Sequence, residues 1–339
     1  MPAGLTFVDF LIAGRLNRDF IVPLSGAPAE DIPGGNSLYT AGGLGIWARN
    51  IGIIAQIGEN YPLEWLDHLH SMQMDSAGVQ IRREHRDARR FFGYDPILGQ
   101  QTENPVAVYS RKGFFFPKAL IGYAQIPNSD SQPTLHQNLE ISPPEIPSHY
   151  LDATAAHLCP LNLPTQTILS SAVKNGAIRT LTLTPAPETM KPQAWEHLPA
   201  LINGLTAFHT SEEEIRSLFQ GRSMDIWEMA EALANFGCDA VVIMRGAFGQ
   251  YLYVRGGQSR WSIPAYPVQV VDPTGAGDAF CGGFLAGYRK TYEPLQAALY
   301  GNISASFKIQ GTGAFYPLGA MDGLAQSRLE KLQERVQRI

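Results

Sequence analysis

The stretch of this 339-residue chain whose residue types and spacing most directly suggest chemistry is Asp272-Pro273-Thr274-Gly275-Ala276-Gly277-Asp278. It follows the apolar run 268–271, which reads as a strand. It precedes a helical stretch in which Gly282, Gly283 and Ala286 permit close packing. Gly275, Ala276 and Gly277 would present successive backbone N–H groups with no bulky side chain in the way. At a helix N-terminus such donors, together with the dipole, make an anion site suited to phosphate. Asp278 would set a carboxylate beside that anion. A loop that only held phosphate would avoid the repulsion, but the carboxylate makes sense if it takes the proton of a hydroxyl attacking the phosphate. The plain alternative is a glycine turn capped by an aspartate.

The full string from Asp272 to Phe280 resembles the C-terminal signature of the ribokinase-like (PfkB) sugar kinases, close to D-T-x-G-A-G-D-x-F. The resemblance implies a three-layer α/β fold, with a mostly parallel central sheet, helices on both faces and a small β lid. It implies Asp278 as catalytic base and Gly275, Ala276 and Gly277 as an anion hole for the γ-phosphate of ATP. Asp19, with Asn17, falls where the family binds sugar hydroxyls; taken alone, Asp19 reads equally as an exposed turn residue. Gly34-Gly35 resembles the family's sugar-site Gly-Gly turn. Tyr39 stands where an Asn often binds substrate, so the pocket should differ from that of ribokinase.

Ser211-Glu212-Glu213-Glu214 resembles N-x-x-E, with Ser replacing Asn, and implies Glu214 near hydrated Mg²⁺. The same residues also read as an N-cap serine with acidic first-turn residues, and the two readings are compatible. Met244-Arg245-Gly246-Ala247-Phe248-Gly249 resembles the nucleotide loop T-x-G-x-x-G, with Gly246 and Gly249 kept and Met244 in place of Thr. Asn302 falls where the family lines the adenine pocket. Asp272 and Thr274, with the loop 311–314, resemble a frame for a monovalent cation such as K⁺. Thr184-Pro185 replaces the family's Asp-Pro.

The arginines of 82–90 admit two readings: a solvated strand face, or one cation, Arg90 or Arg89, over an anionic substrate. No histidine pair has zinc spacing. Gly43-Leu44-Gly45 begins a G-x-G-x-x-A string, but it reads as helix interior rather than as a dinucleotide fingerprint after a strand. No P-loop motif is present. The expected activity is ATP- and Mg²⁺-dependent phosphorylation of a hydroxyl on a small sugar, sugar acid, polyol or nucleoside; a non-catalytic sugar or nucleotide sensor on the same fold is the alternative.

The elements that must position these residues are short apolar runs alternating with helical stretches, the pattern of a parallel sheet covered on both faces. Strands are expected at 5–13, 53–57, 155–159, 178–183, 205–209, 240–244 and 250–254. Helices are expected at 37–50, 63–74, 165–174, 212–219, 224–236, 279–288, 294–309 and 323–337, the last capped by Asp322. Segments 16–33 and 81–116 interrupt the rhythm and are expected to form the lid. The core then comprises 1–15, 34–80 and 117–339, with 127–147 a surface loop.

Composition sets the outer bounds. With 26 basic and 31 acidic residues the net charge is −5, which argues against a nucleic-acid partner. No uncharged apolar run reaches membrane-spanning length. Cys159, Cys238 and Cys281 lack paired spacing and read as buried thiols of a reducing, cytoplasmic setting. A homodimer through the lid is left open.

Overall fold

The computed structural model describes residues 7–123, 140–141 and 146–339; most of the expected 127–147 loop lies outside them. A ten-stranded sheet runs through the chain. From one edge its parallel part orders β5 (Met74–Arg82), β4 (Ile51–Gly58), β1 (Phe10–Ala13), β8 (Ala155–Leu158), β9 (Thr180–Leu183), β10 (Ala207–Ser211) and β11 (Ala240–Met244). Three antiparallel strands continue it: β12 (Gln250–Val254), β13 (Ser259–Ile263) and β14 (Gln337–Arg338).

The central strands β1 and β11 read as continuous apolar runs because both faces are covered, and β8, β9 and β10 add buried His and Thr. Along β1, Leu11 and Ala13 join one core, packed by the helices Leu163–Lys174, Leu198–Ile202 and Ile226–Ala234. Phe10 and Ile12 turn to the opposite face, under the helix Asn36–Gly45. That helix lies against the helix Ala276–Thr291 at close range. A Cβ on Gly282 would sit 1.9 Å from the Thr40 carbonyl oxygen, so any side chain there would push the two helices apart.

Each of the seven expected strands and eight expected helices has a counterpart, with different ends in most. The helix expected over 37–50 stops at Gly45, and Asn50 turns at φ 60 into β4. The last helix is capped by Gly323 rather than Asp322. The run 268–271 is not a strand. Prolines at 264, 267 and 273 thin its donors, and it is pinned from both sides instead. Val271 and Asp272 donate their N–H groups to the Ile309 carbonyl, and Leu24 donates to Val271.

A second sheet of four strands orders β3 (Ala29–Gly34), β2 (Asn17–Val22), β6 (Arg89–Asp95) and β7 (Gly99–Gln101), with β2 and β6 parallel. It closes over its own small core of Phe20, Val22, Phe91, Val108, Tyr109 and Leu120, and forms the lid. Among the described residues no helix is long and apolar enough to cross a membrane. All three cysteines are free and buried.

Candidate active site

From β1 the chain steps to β4 on one side, and β8 enters on the other. Such reversals of strand order leave a crevice at the carboxyl ends of the strands. Gly14, Arg15 and Leu16 leave β1 there. With Asn17, Gln56, Gly58, Arg86, Arg90 and Glu140 they line a cavity of about 380 Å³ beneath the lid. Further along the same edge, Met244, Gly246, Gly249, Tyr266, Ala276, Gly277 and Asn302 line a second cavity of about 480 Å³.

The larger cavity is bordered by the turn that opens the helix Ala276–Thr291. Gly275 is its N-cap in the left-handed region, φ 70. Its missing side chain is what lets the Tyr39 ring lie against the turn, since a Cβ there would fall 2.1 Å from the Tyr39 Cγ. Asp278 occupies the first turn of the helix, part-buried, and its carboxylate makes no hydrogen bond or ion pair among the described residues. Burial, aided by the charges of Asp19 and Glu214, pushes it up to about 7.

Asp19 is fully buried. Tyr39 donates its hydroxyl to Asp19 Oδ2 at 2.8 Å, while Oδ1 has no partner among the described residues. A Cβ on Gly34 would lie 1.9 Å from that same Oδ2, so the Gly-Gly turn is shaped to the carboxylate. Burial raises Asp19 to about 7, opposed by the Tyr39 hydroxyl, the Gly35 backbone N–H and the Arg90 charge. Asp19 and Arg90 face each other in the β2–β6 register. The two arginine candidates separate cleanly. Arg89 is committed to Asp87 and to the carbonyls of Ala119 and Ile121. Arg90 donates only to the Arg89 carbonyl among the described residues and lines the smaller cavity.

Ser211 and Glu214 form a reciprocal capping box at the end of β10. The Ser211 hydroxyl accepts from the Glu214 N–H, and Glu214 Oε2 accepts from the Ser211 N–H. The N-cap reading is therefore realised, and both carboxylate bonds of Glu214 fall on Oε2. Asn302 lines the larger cavity with its amide already spent. It accepts from the Tyr266 N–H and donates to Gln250 Oε1 and the Pro264 carbonyl, so it holds the cavity wall rather than offering free groups. Thr274 likewise donates its hydroxyl to Tyr94 of the lid, at 3.0 Å. Asp272 is buried and accepts from the Thr274 N–H at 2.9 Å.

Two features escape sequence reasoning. Lys308, the last residue of the helix Pro294–Lys308, is fully buried and ion-paired to Asp272 at 3.1 Å; in the sequence it is one more lysine at a helix end. Beneath the turn, His157, His209 and Cys281 meet from β8, β10 and the helix, with His209 Nδ1 3.0 Å from Cys281 Sγ. Burial drives both imidazoles down, His157 to about 3, and the thiol up, so all three are neutral.

Residues 127–320 match the description "pfkB family carbohydrate kinase". A curated cytidine kinase of Thermococcus kodakarensis is 26% identical over 283 residues, covering 84% of this chain and 89% of that one. A nucleoside kinase of Methanocaldococcus jannaschii is 34% identical over 113 residues, 31% of this chain and 36% of the other. Among solved structures, a putative ribokinase II of E. coli in complex with ATP and Mg²⁺ superposes with a TM-score of 0.70 at 17% identity, covering 97% of this chain and all of that one.

Proposed function

The chain belongs to the pfkB family of carbohydrate kinases, and from that membership we propose that Asp278 is the base of a transfer from ATP to a hydroxyl of a nucleoside or related sugar. At the level of reaction class, the chain is a sugar or nucleoside kinase, a phosphotransferase with a hydroxyl acceptor. The observation carrying the finer reading is a carboxylate near 7 with no partner among the described residues, one residue beyond a glycine turn at a helix N-terminus. A base poised near neutral pH is basic enough to accept the hydroxyl proton while about half of it is already ionised.

The larger cavity would take the nucleotide, with Gly246 and Gly249 at its mouth and the phosphates directed at the N–H groups of Gly275, Ala276 and Gly277. Those amides would stabilise charge on the transferring group. Bound with the nucleotide, magnesium supplies charge neutralisation between phosphates. Glu214 fits its water shell as a hard oxygen donor whose two hydrogen bonds both fall on Oε2. The smaller cavity would take the acceptor. Asp19, with its unpartnered Oδ1, and Asn17 would orient hydroxyls beside the Gly34-Gly35 turn and Tyr39, and Arg90 would face the acceptor's electron-rich end. The nucleoside preference rests on the long match to a cytidine kinase. Exposed Ile97, Leu98 and Phe115 on the lid side support a homodimer through that face.

A coupled ATP-consumption assay over nucleosides, sugars, sugar acids and polyols tests the reading. A nucleoside should be the best acceptor, with turnover lost in Asp278→Asn. Equal turnover in the variant would remove the base, and preference for a sugar acid would overturn the acceptor.

A further inference from the structure

The frame expected to hold a monovalent cation is already filled by the chain itself. Lys308 carries its ammonium group into the space between the Asp272 end of the turn and the loop at Gly311. It donates to the Asp272 carboxylate Oδ2 at 3.1 Å, to the Asp272 carbonyl oxygen at 3.2 Å and to the Gly311 carbonyl oxygen at 3.0 Å. An ammonium has three donors and no acceptor, so the three oxygens use it completely. The Tyr39 ring lies 5.5 Å from the same nitrogen, within cation–π range. Lys308 and Asp272 are both fully buried, which leaves no solvent path for a second cation between them. A dissociable K⁺ therefore does not fit these residues: it would need the oxygens that Lys308 holds.

The oxygens so gathered lead directly into the chemistry. Asp272 bonds Lys308 through Oδ2 and the Thr274 N–H through Oδ1, and Thr274 adjoins Gly275. The Ile309 carbonyl, one residue past Lys308, accepts the N–H groups of Val271 and Asp272. The ammonium thus ties the end of one helix, the following loop and the start of the glycine turn into one unit. Burial pulls Lys308 below its ordinary range, and the Asp272 charge opposes that loss.

We infer that Lys308 is a tethered monovalent cation: it positions the Gly275–Gly277 amides as a free potassium ion would, and makes the protein independent of added K⁺. The inference rests on the anion-hole reading of that turn. Lys308 is here a positioning residue, acting through Asp272.

The test reads binding of a non-hydrolysable ATP analogue with Mg²⁺ by thermal shift and calorimetry, at constant ionic strength in tetramethylammonium, sodium, potassium or ammonium chloride. The wild type should bind equally in all four. Lys308→Ala should bind about tenfold more weakly in tetramethylammonium, within the usual range of coupling between two sites, and recover in potassium or ammonium. Binding of Tl⁺ at one site per chain should appear in the variant and be absent in the wild type. A saturable potassium requirement in the wild type overturns the inference, and that measurement needs no variant to fold. Unchanged, cation-insensitive binding by Lys308→Ala also overturns it. Because no acceptor or turnover enters these readouts, a wild type that binds the analogue independently of cation but transfers nothing would sink the kinase chemistry alone.

Discussion

The cavity bordered by the glycine turn and the one beneath the lid are built from different materials. The one assigned to the nucleotide is lined mainly by small and apolar groups and by exposed main chain at Gly246, Gly249, Ala276 and Gly277. The one assigned to the acceptor is lined by charged side chains from the lid strand β6 and from loops: Arg15 paired to Glu140, Arg86, Asp87, and Arg90, which makes no ion pair among the described residues. Main-chain donors recognise a phosphate whatever the rest of the ligand, and their geometry is inherited from the helix. Side-chain charge has to be matched to one acceptor. On the proposed assignment, the first cavity would carry the chemistry common to a family, and the second what distinguishes this chain.

The sharpest test lies at the turn itself. Asp278→Asn should lower kcat by about 10³-fold, within the usual worth of a positioned base, and leave the KM for ATP nearly unchanged. In the wild type kcat/KM, which reads the free protein, should rise with pH through about 7 and then level, because the proposed base must be ionised. Stability should move the other way. The folded chain holds the Asp278 proton up to about 7 against an ordinary 3.8. The stability this proton gives is complete below the ordinary range and is lost as pH rises between the two values. The variant should accordingly melt higher than wild type at pH 8 and almost equally at pH 4. A profile flat through pH 7, or equal melting at pH 8, would remove the free carboxylate from the account.

Next in size is Arg90→Ala, the test of the acceptor side. A charged hydrogen bond is worth about 1.5–3 kcal/mol, so the acceptor KM should rise by one to two orders of magnitude while binding of an ATP analogue stays put. If both ligands weaken together, Arg90 shapes the lid and the two cavities are not independent.

How much could be read from the chain follows the same division. The turn at Gly275–Asp278 is legible because its parts are contiguous and each glycine has a local reason. The central strands are legible because burial on both faces leaves them short uncharged runs rich in Ala, Leu, Val, Ile and Thr. The strand Met74–Arg82 escapes because it sits at the sheet edge, where polar residues such as Asp75 and Gln80 break the apolar run. The segment 268–271 misleads in the opposite sense: it is apolar but, among prolines, pairs with Ile309 and Leu24 instead of a strand. Tyr39 is visible as a departure, yet its bond to Asp19 and its contact with Gly275 depend on three distant segments meeting. Lys308 is invisible for the same reason, since its three acceptors belong to Asp272 and Gly311.

Asn302→Ala probes the nucleotide side more gently. It strips the amide that joins Tyr266, Gln250 and Pro264, leaving buried partners unpaired at about 1–3 kcal/mol. The loss should appear as lower melting with a raised KM for ATP and little change in acceptor KM. A variant that melts normally but loses only adenine discrimination would assign Asn302 to direct base contact.

The smallest effect is expected at the one side-chain bond by which, among the described residues, the lid touches the turn. Tyr94→Phe removes the acceptor for the Thr274 hydroxyl and little else, a net loss of about 1 kcal/mol. The lid has its own small core around Phe20 and Phe91, so it should stay folded and simply open more often. A lid that opens more often admits water, so the expected outcome is a rise of a few-fold in ATP hydrolysis without acceptor, at nearly constant transfer rate. Since Tyr94 comes from the acceptor-side sheet and Thr274 from the nucleotide-side turn, this bond is where closure over one ligand can be felt by the other. If hydrolysis does not change while both KM values do, the bond sets cavity shape rather than closure.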